Sequence, residues 1–465
     1  MKSELLKPYA SGVLGKIIFF SLLLLLPLTA IPYGTAEAWW KAFFICAIFA
    51  LTILWLIDGL LTQSWLSEGW GLVSPILTLA LFSILQTLQF TKTNERPGGT
   101  TIPSWNTISA DPFQTRFFVL QLLALMMAGV LLFRYLSSES RLRLLINVVI
   151  VVAVATAIFG ILRQTTQHSL GFGLPLLKSG QGYAQFINKN HFALLIEMAL
   201  GLTLGMVIGG GLKRQHLLIY IAALLPMWAA LGLCGSRGGL IAMMTQVVTA
   251  VLVLGVVQQD RHVEVRSKAA RLVRSWPIKF VLLVLLIGGV VFGTLWLGGD
   301  RLATTIEHSF DQLAEAPDQT REGASRNEIW RTTWRMFTAN PLVGVGMGAY
   351  WAAVPAFHDA SGRLTPQEAH NDYLELLASG GVVGLAIVAW FVVVVVRRTR
   401  RNLRSPDRFR RAACLGALIG ITGVAVHSLL DFGLHLFVNA FVFTTLLVIA
   451  TSKSRWAFQT AEETS

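Results

Sequence analysis

The stretch Thr365-Pro-Gln-Glu-Ala-His-Asn-Asp-Tyr-Leu-Glu-Leu-Leu-Ala-Ser-Gly-Gly-Val-Val-Gly384 begins polar, ends apolar and runs straight into the apolar segment 382–396. Thr365 as N-cap, Pro366 at the first helical position and Glu368 three residues after the threonine make a capping-box pattern. The spacing predicts a helix that starts in water and, with its lead-in, is long enough to enter a bilayer. His370 then falls in the second turn, where an imidazole titrates near neutral pH and reaches a membrane-bound substrate. An interfacial histidine without a role fits this stretch equally well.

Working outward, the 465 residues are 54% hydrophobic and 14% charged, with a mean hydropathy of +0.61. Soluble proteins carry roughly 25% charged residues. The chain therefore reads as an all-α polytopic membrane protein. About twelve apolar segments meet the roughly 20-residue requirement for a spanning helix. They centre near residues 22, 50, 80, 124, 153, 201, 224, 247, 288, 387, 421 and 444. Ala36-Glu-Ala38 has the spacing of a signal-peptidase site, but with the chain read from Met1 the run 13–31 is taken as a retained first span. Cys46, Cys234 and Cys414 all lie in apolar runs and offer neither a disulfide framework nor a metal-ligand spacing.

The net charge is +13, with no nucleic-acid motif to absorb it. Its placement reads as topology. Basic residues gather in alternate connections: Lys2, Lys7 and Lys16; Arg134, Arg141 and Arg143; Lys213 and Arg214; 261–279; 397–411; Lys453 and Arg455. The positive-inside rule puts both termini in the cytoplasm. Segments 91–115, 164–189 and the long 298–369 then face the outside. The expected organisation is N-terminal membrane helices in 1–185, further membrane helices in 186–298, a partly helical periplasmic loop in 299–369, and C-terminal membrane helices with a short tail in 370–465.

Within that loop, Ser325-Arg-Asn-Glu328 is a second capping box, opening a helix that ends near Ala339-Asn-Pro341. Arg326, Trp330, Thr333, Trp334 and Phe337 share one of its faces, which suits lying on a membrane surface. Gly344-Val-Gly-Met-Gly348 has no preceding strand and reads as a tight turn rather than a phosphate loop.

Charged and polar residues in spans are expensive and usually functional. On this topology Arg163, the run Asn188-Lys189-Asn190-His191, the break Cys234-Gly-Ser-Arg237-Gly-Gly239, His370, and His427 with Asp431 all meet the outer membrane face. A snorkelling arginine, a polar helix cap or a buried His–Asp pair explains each element singly. Five on one face point to a site. Guanidinium forks bind phosphate oxygens bidentately and stay charged, so a lipid diphosphate fits, with its tail in the bilayer. No acidic cluster for Mg²⁺ stands beside the arginines in the sequence, which favours metal-independent chemistry without a cofactor. A neutral His370 is placed to take the proton of an attacking hydroxyl.

These residues resemble the O-antigen ligase superfamily of ligases and polysaccharide polymerases. Its signature is His, then Asn, Ser or Gln, nine residues, Gly, two residues, then Gly, Thr or Tyr; here His370, Asn371, Gly381 and Gly384 fill it. Ser236-Arg237-Gly238 is similar to the family's outer-edge arginine. Ser325-Arg326, Trp330, Asn340-Pro341 and Gly344–Gly348 are similar to its long loop. Phe186–Ala193 and His427–Asn439 resemble the branch associated with exopolysaccharide assembly. The resemblance covers roughly 186–447. It implies a GT-C-type membrane glycosyltransferase, an undecaprenyl-diphosphate-linked glycan donor, a saccharide or glycolipid acceptor, and inverting transfer. It also implies His370 as base and Arg237 and Arg326 as diphosphate ligands. Lys189, His191, Arg163 and Asp431 are added as binding candidates from topology, and Asn371 of the signature is counted with them. A lipid-linked oligosaccharide flippase, with polar groups open to both sides of the membrane, is the rival class, and transfer to a protein acceptor stays open.

Overall fold

The computed structural model describes residues 12–31, 33–63, 65, 69–89, 106–166, 182–259, 326–358 and 366–452. These form α1 (Val13–Ala30), α2 (Ala38–Thr62), α3 (Trp70–Gln86), α4 (Pro112–Tyr135), α5 (Glu139–Thr166), α6 (Lys189–Ile208), α7 (Arg214–Leu233), α8 (Arg237–Gln259), α9 (Arg326–Ala339), α10 (Tyr350–Ala353), α11 (Asp372–Leu403), α12 (Arg408–His427) and α13 (Phe437–Thr451). Single 3₁₀ turns cover Val354–Ala356 and Gly433–His435.

Each expected centre carries a helix except the one near residue 288, which lies outside the described residues. Among the described residues, 8 helices are long and apolar enough to cross a membrane; α3, α13 and the apolar part of α8 are shorter. The expectation of twelve spans is therefore met in part. A hydropathy window merges a short apolar helix with its apolar flanks, so it cannot see that α8 starts at a cap or that α13 is only 15 residues long. Large apolar side chains face outward, such as Leu218 and Leu225 on α7, as lipid-facing helices require.

The bundle is organised on α6, the most deeply buried of the candidate spans. Glycines let α12 lie directly on it. Gly201, Gly205 and Gly209 recur every fourth residue on α6, opposite Ala412, Gly416 and Gly420 on α12. A Cβ at Gly420 would stand 2.9 Å from the Met198 carbonyl oxygen, and Cβ atoms at Gly201 and Gly205 would run into the α12 backbone. Small residues at this spacing permit close backbone approach where lipid offers no hydrophobic drive.

The opening stretch folds differently from its sequence pattern. Thr365 lies outside the described residues, and α11 starts at Asp372, not at Pro366. Its cap is Asn371, whose Oδ1 accepts from Tyr373 N and Leu374 N, both 3.1 Å. His370 is thus not in a second turn: it precedes the helix at φ 50°. The Glu368 carboxylate lies 3.2 Å from His435 Nδ1.

Helix α11 is itself broken at Gly381 (φ 61°, ψ −162°), and any Cβ there would strike the Leu342 carbonyl. The break frees backbone groups that the 341–346 turn satisfies. Val345 N donates to Ala378 O (2.9 Å), Gly346 N to Ser379 O (3.0 Å), and Val382 N to Pro341 O (2.8 Å). Gln86 of α3 bridges the same turn, donating to Val343 O at 2.6 Å and accepting from Met347 N at 3.0 Å. Gly344, Gly346 and Gly348 all have positive φ, in keeping with a tight turn.

Helix α9 packs Ile329, Thr332, Thr333 and Met336 inward. The five residues expected on one membrane-facing side are split. Thr333 Oγ1 meets Tyr350 Oη at 2.7 Å and Trp330 Nε1 donates to Ala369 O at 3.1 Å, while Trp334 is exposed beside Phe337. Helix α9 is docked on protein along the turn that leads to His370, so tertiary contacts take the stripe that periodicity offered to a membrane.

Candidate active site

His370 is held by its neighbours on both sides. Ala369 N donates to Glu375 Oε2 (3.0 Å) and Ala369 O accepts from Trp330. Asp372 N donates to Ser428 O (2.9 Å), and Tyr373 Oη to Ala425 O (2.7 Å), pinning the turn to the end of α12. A non-glycine residue at positive φ costs of order 1–3 kcal/mol and persists where the surroundings over-determine it, typically at functional sites. Histidine is among the residues enriched in this region.

The imidazole Nδ1 lies 3.2 Å from Asp431 Oδ1, with the His370 side chain 33% exposed and that of Asp431 1% exposed. Phe432 N donates to the same oxygen at 3.0 Å. Burial pushes the Asp431 carboxyl up, but the His370 hydrogen bond and the neighbouring imidazoles outweigh it and bring it down to about 2. It is therefore a carboxylate at neutral pH. Nδ1–H donates to it, which leaves the lone pair of a neutral His370 on Nε2. That is the tautomer a proton acceptor needs.

The phenyl ring of Phe432 is shared. His370, His191 and His435 all meet it edge-on, at centroid distances of 4.8, 4.9 and 5.7 Å. His191 is buried in the first turn of α6, and its carbonyl accepts from Asn439 Nδ2 at 3.0 Å. The pairing read from sequence, His427 with Asp431 on one helix face, is corrected. Helix α12 ends at His427, so Asp431 lies one turn beyond it and turns to His370. His427 instead pairs with Glu197 of α6 at 2.8 Å.

The cationic side is built from two helix starts. Asn188 caps α6, accepting from Asn190 N at 2.9 Å. Asn190 Oδ1 accepts from Ser236 Oγ at 2.9 Å, and Ser236 Oγ caps α8 by accepting from Gly239 N at 3.2 Å. This brings Lys189 beside the Ser236–Gly239 turn: a Cβ at Gly235 would stand 3.7 Å from Lys189 Nζ. Arg237 leads α8, and exposed Arg326 leads α9 within its electrostatic reach. Gly238 touches His427, since a Cβ there would be 3.0 Å from His427 Nε2. Through His427 and Asp431 this turn and His370 occupy one end of the bundle. Arg163 sits apart in role: it is buried and donates from Nη1 to the Ala184 carbonyl at 2.8 Å, bracing the turn that leads into α6.

Sequence reasoning missed two groups. Glu197 is the lone acidic residue of α6, and the cost of charge in a span was signal enough to find it. The second is Glu368, Glu375 and His435, whose ligand atoms lie within 4.8 Å of one another and could hold a metal ion. Asp372 joins them, 3.7 Å from His435 Nε2. Burial alone would lower His435, but Glu368 and Glu375, with Asp372 behind them, raise it to about 10. An imidazolium thus fills the place a cation would take. Its members are dispersed over 368–435 and share no metal spacing.

Residues 222–389 match the family model described as O-Antigen ligase. The match takes in Arg237, Arg326, His370, Asn371, Gly381 and Gly384, and leaves Lys189, His191 and Asp431 outside it. No curated protein matches the chain.

Proposed function

We propose, from the premise that residues 222–389 place this chain in the O-antigen ligase superfamily, that it moves a glycan from a polyprenyl diphosphate such as undecaprenyl diphosphate to a saccharide hydroxyl. At family level it is an O-antigen ligase- or polymerase-type membrane glycosyltransferase. The observation that supports the finer reading is His370, oriented by Asp431 just past the end of α12, with the Arg237 turn seated against His427 at that same helix end.

Two guanidinium groups in mutual reach repel, and an anion bound between them relieves that cost. The donor diphosphate is that anion. In transfer the bond from the sugar anomeric carbon to the diphosphate oxygen breaks, and its electron pair leaves with the diphosphate. The acceptor oxygen bonds the anomeric carbon while its proton passes to His370 Nε2. Asp431 stabilises the imidazolium that forms. Arg237 and Arg326 neutralise the charge developing on the leaving group, so the step asks for no metal. Lys189 extends the cationic rim, and Asn371 fixes the His370 turn through its cap. His191 packs on Phe432 and lines the same end. On the acceptor side, an open groove of about 580 Å³ lined by Asn327, Trp330, Arg331, Trp334, Arg335 and Leu374 lies against the Ala369–His370 turn. Aromatic and amide groups there suit a sugar. The reading places both termini in the cytoplasm and the site on the periplasmic side.

The test is reconstitution of purified protein with a lipid-diphosphate glycan and candidate acceptors, products being read by mass. Wild-type protein forms a new glycosidic bond. His370→Ala, folded and inserted as the wild type, loses transfer by about 10²–10⁴-fold. Translocation of the lipid without bond formation would instead identify a flippase, and a fully active alanine variant would remove His370 from the chemistry.

A further inference from the structure

Glu197 and His427 form a buried ionisable pair that the transfer reaction does not touch. Glu197 Oε1 lies 2.8 Å from His427 Nδ1, and the two side chains are 0 and 1% exposed. They sit within apolar helices α6 and α12, where ionisable groups are costly and rare unless they serve a function. Replacing such a pair by apolar side chains of similar volume is often neutral or even stabilising. Stability alone therefore gives little reason to keep it.

What rests on the pair is the start of α8. A Cβ at Gly238 would stand 3.0 Å from His427 Nε2, and one at Gly239 would stand 3.1 Å from Glu197 Oε1. These two glycines directly follow Arg237, so the turn that carries the guanidinium lies on the pair with no side chain between. The other contacts of α8 hold it to that seat. Ser236 Oγ reaches Asn190 Oδ1 at 2.9 Å, and two turns further on Gln246 Nε2 donates to Glu197 O at 2.9 Å. His427 Nε2 and Glu197 Oε2 have no hydrogen-bond partner among the described residues. The pair's fixed geometry comes from its own bond and from the backbone pressed against it.

We infer that Glu197 and His427 are positioning residues for lipid-diphosphate recognition: their buried hydrogen-bonded pair is the platform that sets the height and direction of the Arg237 turn. This rests on the reading of Arg237 as a diphosphate ligand. The pair meets the ligand only through α8. A hydrogen-bonded platform does what an apolar one does not, because a short directional bond fixes α6, α12 and the α8 glycines in a single register.

The experiment measures equilibrium binding of undecaprenyl diphosphate to protein in nanodiscs, the KM values for donor and acceptor, and thermal unfolding. The variants are Glu197→Gln, Gly238→Ala, Arg237→Ala and the double change Glu197→Met with His427→Leu. Glu197→Gln and Gly238→Ala should each weaken lipid-diphosphate binding and raise donor KM by about 10- to 100-fold, with acceptor KM unchanged, as expected of a small misplacement of a binding group. Combined, they should fall well short of additivity, because both act through one contact. The apolar double variant keeps the fold and its unfolding temperature and still loses donor affinity; a merely structural pair would lose neither. Wild-type affinity in that folded double variant, alongside lost affinity in Arg237→Ala, overturns the inference and spares the functional reading. No lipid-diphosphate binding by the wild type, with Arg237→Ala indistinguishable from it, overturns the functional reading itself.

Discussion

Arg410 and Arg237 sit at opposite ends of one helical bundle and are used differently. Arg410 opens α12 and is 1% exposed; its Nη2 donates to the carbonyl and hydroxyl oxygens of Ser452. Asn402 Nδ2 donates to Ala450 O and Ser452 O beside it, at 2.8 and 2.9 Å. About 30 Å away, by the rise of a 20-residue helix, α12 ends at His427, against the turn of Arg237. There a second arginine, Arg326, lies within electrostatic reach of Arg237. The pairs of imidazole with carboxylate among the described residues also gather at this end: His370 with Asp431, His427 with Glu197, and His435 with Glu368, Asp372 and Glu375. One end ties a buried cation through Nη2 to Ser452 and so locks α12 to the end of α13. The other concentrates imidazole–carboxylate pairs and two helix-leading arginines. On the proposed function, the same residue type is a rivet at one end and a diphosphate ligand at the other.

Three measurements strain that contrast, the largest effect first. Asp431→Asn keeps an acceptor for Nδ1 of His370 but removes the charge that stabilises an imidazolium. Transfer should fall by about 10²–10⁴-fold while the protein unfolds at the same temperature. A normal rate would mean that Asp431 does not orient the base.

Next, lysine at each end separates ligand from rivet. Arg237→Lys replaces a planar fork by a point charge, so donor KM should rise by about tenfold with little change in unfolding temperature. Arg410→Lys should leave both KM values alone and lower stability by about 1–3 kcal/mol through lost buried hydrogen bonds. Matching outcomes at the two ends would erase the distinction.

The smallest effect is a pH dependence. His435 is raised in the fold, from an ordinary value near 6.5 to about 10. Its contribution to stability is therefore complete below about pH 6.5 and is lost as pH rises through about 10. With the side chain 38% exposed, solvent screening trims the size of the effect. Unfolding temperature should decline from neutral toward pH 10, and Glu368→Gln should flatten that decline. A profile that is level over this interval, or that rises, would show that the carboxylate cluster does not hold an imidazolium.

Much of this was legible one residue type at a time. Apolar run length gave the helices, and the His370–Gly384 spacing pointed to the family. The Asn188 and Ser236 caps were visible as breaks before apolar runs. Pairings were not legible. His427 and Asp431, four apart, suggested one helix face, yet α12 stops at His427 and each residue finds a partner far along the chain. The Thr365–Glu368 capping pattern gave way to Asn371, and Glu368 lies against His435. The purpose of Gly381 became clear only when the 341–346 turn was seen filling the helix break.

The amino-acid order alone determined that this chain belongs among lipids, and it carried the His-Asn-Gly-Gly signature, because hydrophobic run length and local capping are properties of neighbours in sequence. Tertiary structure alone decided which carboxylates His370, His427 and His435 meet, why Gly238 lies bare against His427, and that Arg326 comes within electrostatic reach of Arg237. Those contacts join residues from tens to more than two hundred positions apart. Their energies depend on burial and direction, which no local spacing encodes.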